Sequence, residues 1–430
     1  MDEFQHAFHN RIQRLSSLNE TYVNKHLPVD GQQPCRCLSS RGPPSVEETA
    51  KGESEVERGP PKLRSAIPIE VLELIFSYLS KTELIPVLQS NKSLHSAAIR
   101  VLYRELSAES PASSIKLIHR VLDKPLVHRY IRSVDLNVSS VDTLTGNYYR
   151  LLRRFLQRLP GLTTLILDLP KSNSPVWIFA GCTFLLRTFS TSMQCSADLA
   201  RFLDSQPNIQ NLTLRGFQTD SFQTVAQFGI DIASNPSALF APRRNFRDFV
   251  LQPGSLPRLA NFNAIHAGPP VVATVARGRP VSVASVPLFS PGALESLDAL
   301  SGGSVPLRRL TVISFDPAAP SFIFEEVAKR FPSLEALHIV ILLAEFNSDL
   351  LLAACPHLER LKHLKYITCV ATSSDEAPLS EEQEIAETWH KHCPSLQTII
   401  LPRGKVWFQA PAASPRKGKG WACFDDEDDS

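Results

Sequence analysis

Residue types able to do covalent or metal chemistry are present in the 430-residue sequence but scattered. Of its 8 cysteines only Cys35 and Cys37 lie close together, in a stretch rich in Pro, Ser and Gly, and the other gathering of ligand types is His390-Lys391-His392-Cys393. A structural zinc site wants two spaced pairs of Cys or His, and neither gathering supplies them. No metal and no cofactor is therefore expected. The sequence also lacks a Gly-x-Ser-x-Gly turn to expose a serine nucleophile, a Gly-x-x-x-x-Gly-Lys-Ser/Thr loop to cradle phosphates and a His-Glu-x-x-His helix. His119, His266 and His338 stand without a partner constellation, so they read as structural or surface residues and no catalytic residue is expected.

The chemistry these residues do support is apolar contact at helical spacing. Residues 63–106 place Leu72, Ile75, Phe76 and Leu79 on one face of a helix that Pro68 can start. A second helix follows Thr82 as N-cap, with Leu84 and Leu88 on one side. Pro86 would remove the first backbone hydrogen bond of a helix capped there, so a late or distorted start is expected. A third helix, from about Ser93, carries Leu94, Ala98, Leu102 and Tyr103. Three short helices are too small to bury all these side chains among themselves. Some of that surface must meet something else.

What must position this segment is the long region after it, where a theme recurs: an apolar helical stretch, a Pro or Gly break, then Leu-x-x-Leu-x-Leu. The pattern is clearest at Leu162-Thr-Thr-Leu165-Ile-Leu167, Ile209 to Leu214, Leu307 to Val312, Leu334 to Ile339 and Leu396 to Leu401. Fainter copies begin at Ile131, Leu186, Leu256 (with Leu259) and Leu358 (with Leu361), and neighbouring copies are often about 23 to 27 residues apart, within the range of leucine-rich repeats. In a stacked array the alternate apolar positions of each short strand point inward, and the following helix closes the other wall. Helices are expected over 148–159, 197–205, 270–277, 322–331, 345–355 and 380–392, several stopping before Pro160, Pro207, Pro332, Pro356 or Pro394. The predicted fold is α/β: a small three-helix unit, then an irregular solenoid with parallel strands on the concave side and helices on the convex side.

Ile67-Pro68-x-Glu70-x-Leu72-x-x-Ile75-Phe76-x-x-Leu79, followed by Leu84, Leu88, Leu94 and Leu102-Tyr103, resembles the F-box. The repeat portion also resembles that of fungal F-box-like proteins, including Gly268-Pro269-Pro270 to Arg279-Pro280 and the closing Leu401-Pro402-Arg403-Gly404-Lys405-Val406-Trp407-Phe408. The resemblance implies a non-enzymatic adaptor. Its F-box would bind the Skp adaptor subunit of a Skp, cullin and F-box (SCF) ubiquitin ligase, and its repeats would hold an unidentified target protein. Carried over to this chain, Pro68, Leu72, Ile75, Phe76, Leu79, Leu84, Leu88, Leu102 and Tyr103 would contact the adaptor subunit or hold the contact face together. Two positions depart from the family pattern, Ile67 for its leading Leu and Leu94 for its frequent aromatic, and both remain apolar. The competing reading is a leucine-rich scaffold outside the ubiquitin system, with the helical segment as its N-terminal cap.

Composition agrees with a protein partner. Lys and Arg total 45 against 43 Asp and Glu, a net +2 that makes no electrostatic case for nucleic acid. No apolar run reaches the length of a membrane helix, and the start lacks a signal-peptide pattern, so a cytoplasmic or nuclear protein without disulfides is expected. Residues 1–62 read as a disordered segment with a short amphipathic helix over 1–22, residues 63–106 as the F-box, 107–409 as the solenoid, and 410–430 as a disordered tail with an acidic end.

Overall fold

Each strand of the repeat region follows an apolar residue and then turns two more inward at alternate positions, as Leu162, Leu165 and Leu167 do around Thr164–Asp168. The computed structural model describes residues 67–141, 143–170, 175–216, 249–289, 292–314, 316–371, 379–402, 404–409 and 421–424. Three helices come first: α1 (Ile69–Phe76), α2 (Lys81–Ser90) and α3 (Lys92–Leu102). Thirteen strands then form one sheet in chain order. They are β1 (Glu105–Ala108), β2 (Ser133–Asn137), β3 (Thr164–Asp168), β4 (Thr188–Thr191), β5 (Asn211–Leu214), β6 (Asn261–Ala264), β7 (Val283–Leu288), β8 (Arg309–Ser314), β9 (Ala336–Ile341), β10 (Tyr366–Ala371), β11 (Thr398–Ile400), β12 (Val406–Gln409) and β13 (Trp421–Phe424). Neighbours from β1 to β11 are parallel, whereas β12 and β13 close the sheet antiparallel.

Parallel neighbours require crossovers, and these hold the helices α4 (Pro111–Leu122), α5 (Gly146–Leu156), α6 (Ala197–Asp204), α7 (Pro269–Ala276), α8 (Ala293–Ser301), α9 (Ala319–Arg330), α10 (Ser348–Ala353), α11 (Cys355–Leu358) and α12 (Leu379–His392). Register stacks the inward residues of successive strands: Leu106, Val134, Leu165, Phe189, Leu212 and Phe262 are adjacent and buried. At the start of each strand one carbonyl accepts two amides from the next repeat. Arg104 O takes Arg132 N at 2.9 Å and Ser133 N at 3.0 Å, and the motif recurs as far as Lys365 O, which takes Gln397 N and Thr398 N. This fork pins each repeat to its neighbour at the same point and keeps the columns aligned.

The outward row runs Ser107, Asp135, Ile166, Ser190, Thr213, Asn263, Ser285, Thr311, His338, Thr368 and Ile400. Its one acidic residue is Asp135, near the N-terminal end, and from Ser190 on most positions carry a hydroxyl or an amide.

Several expectations are corrected. The faint copies at Leu256 and Leu358 lie out of step: the strands open at Asn261 and Tyr366, so Leu259 and Leu364 are the first apolar positions. Leu256 and Leu259, like Leu358 and Leu361, instead bracket tight turns closed by Leu259 N to Leu256 O and Leu361 N to Leu358 O. An i to i+3 turn puts residues three apart on one side, which mimics the strand pattern. The helix expected over 345–355 is two short helices, with Pro356 in the first turn of the second, where a proline costs no bond. The tail is not unstructured throughout: Trp421–Phe424 pairs with β12, Trp421 is buried, and its ring meets that of His390 at 5.5 Å. The expected helix over 1–22, the segment 1–62 and the rest of the tail lie outside the described residues.

Candidate docking face

The first three helices own a core separate from that of the repeats. Leu72, Phe76, Leu84, Ala97 and Ala98 form its buried centre, with Ile69, Leu79, Val87, Leu88, Leu94, Val101 and Leu102 packed partly buried around it. Two fully buried alanines let α3 approach the other helices closely. Arg100 Nη1 donates to Glu73 Oε1 at 2.9 Å, tying α3 to α1, and His95 Nδ1 lies 2.8 Å from Leu88 O at the end of α2.

The start of α2 differs from the sequence expectation. Ser80, not Thr82, is the N-cap: its hydroxyl accepts from Glu83 N at 3.3 Å while Ser80 N donates to Glu83 Oε2 at 2.7 Å. This capping box satisfies two otherwise orphaned amides. The backbone N–H of Ser80 holds the Glu83 carboxyl below the usual carboxylate range. With the helix begun at Lys81 and its first ladder bond from Leu84 N to Ser80 O, Pro86 falls inside rather than at the start. The helix therefore starts early, not late.

The nine residues singled out in the sequence divide by position. Leu72, Phe76 and Leu84 are interior, with Phe76 only 6% and Leu84 only 2% exposed. Leu79, Leu88 and Leu102 are partly buried against them. Tyr103 packs, with Ile99, on the repeat core instead, and takes a hydrogen bond from Lys124 Nζ at 3.2 Å. It occupies the first apolar position of the first repeat, three residues before Leu106. Pro68 and Ile75 face solvent.

Four residues that face solvent beside them were not singled out: Val71, Leu74, Tyr78 and, on α2, Ile85. Ile67, Val71, Leu74, Ile75 and Tyr78 make a stripe at i, i+4, i+7, i+8 and i+11 along α1 and the residues that flank it, and Leu74 and Tyr78 are 60% and 83% exposed. The signal was in the sequence: six of the eight residues of Ile69–Phe76, all but Glu70 and Glu73, are apolar, more than one buried face of a short helix uses. Arg100 also lies over the Tyr130 ring at 5.3 Å, joining this unit to the first repeat.

The candidate ligand residues at the other end diverge. His392 Nδ1 contacts Glu359 Oε1 at 2.7 Å, the Cys393 thiol points to Leu361 O at 3.3 Å, and His390 meets the Trp421 ring edge to face. Among the described residues no three His, Cys, Asp or Glu side chains converge on one point, and Cys182, Cys195, Cys355, Cys369 and Cys393 form no disulfide. Burial pushes Cys182 up to about 11 and Cys195 to about 12, so both remain thiols at neutral pH. Cys35 and Cys37 lie outside the described residues.

Residues 65–109 match the F-box-like family. A search of curated proteins finds no match. The chain is also similar to the leucine-rich repeat-containing protein LegL7 from Legionella pneumophila, at 14% identity and a TM-score of 0.36, covering 69% of this chain and 90% of that one. The repeat assignment rests on the strand register described above. Residues 65–109 are thus an F-box-like domain, followed by a parallel-sheet region of the leucine-rich-repeat type.

Proposed function

We propose that this chain is the substrate-recognition adaptor of an SCF-type ubiquitin ligase, its F-box docking on the Skp subunit and its repeats holding a target protein. The observation that carries the reading is the exposed apolar stripe Val71, Leu74, Ile75 and Tyr78 on a helix whose opposite side is already buried in its own core. Burying such a side chain contributes about 1.5–3 kcal/mol. A few of them at the centre of an interface suffice as anchors.

The scaffold reading draws on one fact: Ile99 and Tyr103 seat the unit on the first repeat as a cap would. A cap, however, serves by turning a polar side outward. Here the outward side of α1, apart from Glu70, is apolar. Among the described residues no helix is long and apolar enough to cross a membrane. The test is co-purification of the Skp subunit with the full chain. Capture is expected, and its failure under conditions where the repeats remain folded overturns the adaptor reading.

A further inference from the structure

The outward strand face is not uniform. Asp135 on β2 sits in register with Ile166 on β3, Ser190 on β4 and Thr213 on β5. Two residues further along β3 lies Asp168, and Arg215 reaches back across β4 to it, Nη1 to Oδ2 at 3.3 Å. The charged groups that reach the Asp135 carboxyl are Arg215, Asp168 and Glu109, two carboxylates against one guanidinium, which is already bonded to Asp168.

Asp135 is half-buried and no hydrogen bond holds its carboxylate, and desolvation, followed by Asp168 and Glu109, outweighs Arg215 in pushing its pKa up. Ser190, 6% exposed, has an Oγ with no hydrogen-bond partner; Arg215 Nε and Asn263 Oδ1 are buried on the same face in the same condition. Buried polar atoms are normally paired, and a desolvated carboxylate without a partner is costly. Two independent observations, an excess of negative charge and unmet hydrogen-bonding capacity, thus meet at one place.

We propose that the strand face over β2 to β5 receives a lysine or arginine side chain carried on an extended segment of the target protein, its cationic head between Asp135 and Asp168 and its donors reaching Ser190 Oγ. This rests on the repeats being the target-binding part of the adaptor. A cation with several N–H groups supplies donors to the Asp135 carboxylate and Ser190 Oγ, though not the acceptor Arg215 Nε lacks, whereas an acidic side chain would add to the excess charge. Strands β6 to β10 contain no acidic residue, and their outward positions Asn263, Ser285, Thr311 and Thr368 suit an uncharged continuation of the same segment.

A random peptide display library selected on the immobilised full chain tests this, with Asp135→Asn, Asp168→Asn and a variant with Asn at positions 425, 426, 428 and 429 in parallel. The expected consensus has a Lys or Arg at one position and uncharged residues beside it, and the enriched peptide binds the Asp135→Asn chain about 30-fold more weakly or worse, as for a desolvated charge pair. The Asp135→Asn chain should melt no lower than the original, because it loses an unpaired carboxylate. A consensus without a basic position, no enrichment at all, or binding lost in the tail variant but kept in Asp135→Asn overturns the site. Skp capture by the same preparations separates the two readings: peptide failure with capture intact sinks the site alone, and the reverse sinks the adaptor reading.

Discussion

The two cores of this protein distribute their apolar residues in opposite ways. In the repeats they occupy the inward columns, from Leu106 and Val134 onward, and the outward row is mostly Ser, Thr, Asn and Asp. In α1 they occupy both sides: Leu72 and Phe76 inside, Val71, Leu74, Ile75 and Tyr78 outside. A repeat buries its apolar face against its neighbours and leaves a polar surface outward. A unit of three short helices cannot finish burying itself, so its remaining apolar surface is available to a permanent partner. The same residue types therefore report internal packing in one region and, in the function proposed above, docking in the other.

The sharpest break between the regions is Phe76→Asp. A carboxylate in the small core of α1 to α3 should unfold that unit, while the repeat transition stays near its original melting temperature, since repeat stability is largely a sum of neighbouring terms. Amide exchange resolved by segment checks this, and joint loss of protection in both regions would erase the distinction drawn here.

The converse change is Phe189→Ala. Its ring lies 5.8 Å from that of Phe179 and 5.3 Å from that of Phe202 in the repeat core, and truncation should cost about 3–5 kcal/mol. Denaturant melts should show the repeats weakened while Skp capture under native conditions is kept.

Acid should act on the repeats through His338. Burial pushes its pKa down to about 4, below the ordinary value of ~6.5. Between those values the unfolded chain binds more protons than the folded one, so stability is lost as the pH falls through that window. His338→Gln should flatten the slope of melting temperature against pH there.

The smallest effect expected is from Ser80→Ala, which removes the cap of α2 and should cost about 1 kcal/mol. It would appear as lower protection of Lys81–Ser90 alone.

Strand positions with an unbroken Leu-x-x-Leu-x-Leu, such as Leu307 to Val312, were legible because a three-residue and a two-residue step together admit one register. Where a further leucine stood three residues earlier, at Leu256 or Leu358, two registers fitted equally and only the turn hydrogen bonds decide. β7 escaped the pattern because its inward residues, Ala284 and Val286, are small. In α1 the residue types named the helix but not which apolar side faced the core, which depends on where α3 lays Ala97 and Ala98. β13 was hidden because Trp421 and Cys423 stand isolated between basic and acidic stretches, and its pairing with β12 is a tertiary fact.

The most direct test of the account is Skp capture by the full chain carrying Leu74→Ser and Tyr78→Ser together. Both side chains are exposed, so the melting of either region should change by no more than about 0.5 kcal/mol per substitution. Losing two apolar anchors should weaken capture by about 100-fold or more. Undiminished capture by a folded double variant would contradict the claim that the outward face of α1 is where this protein docks.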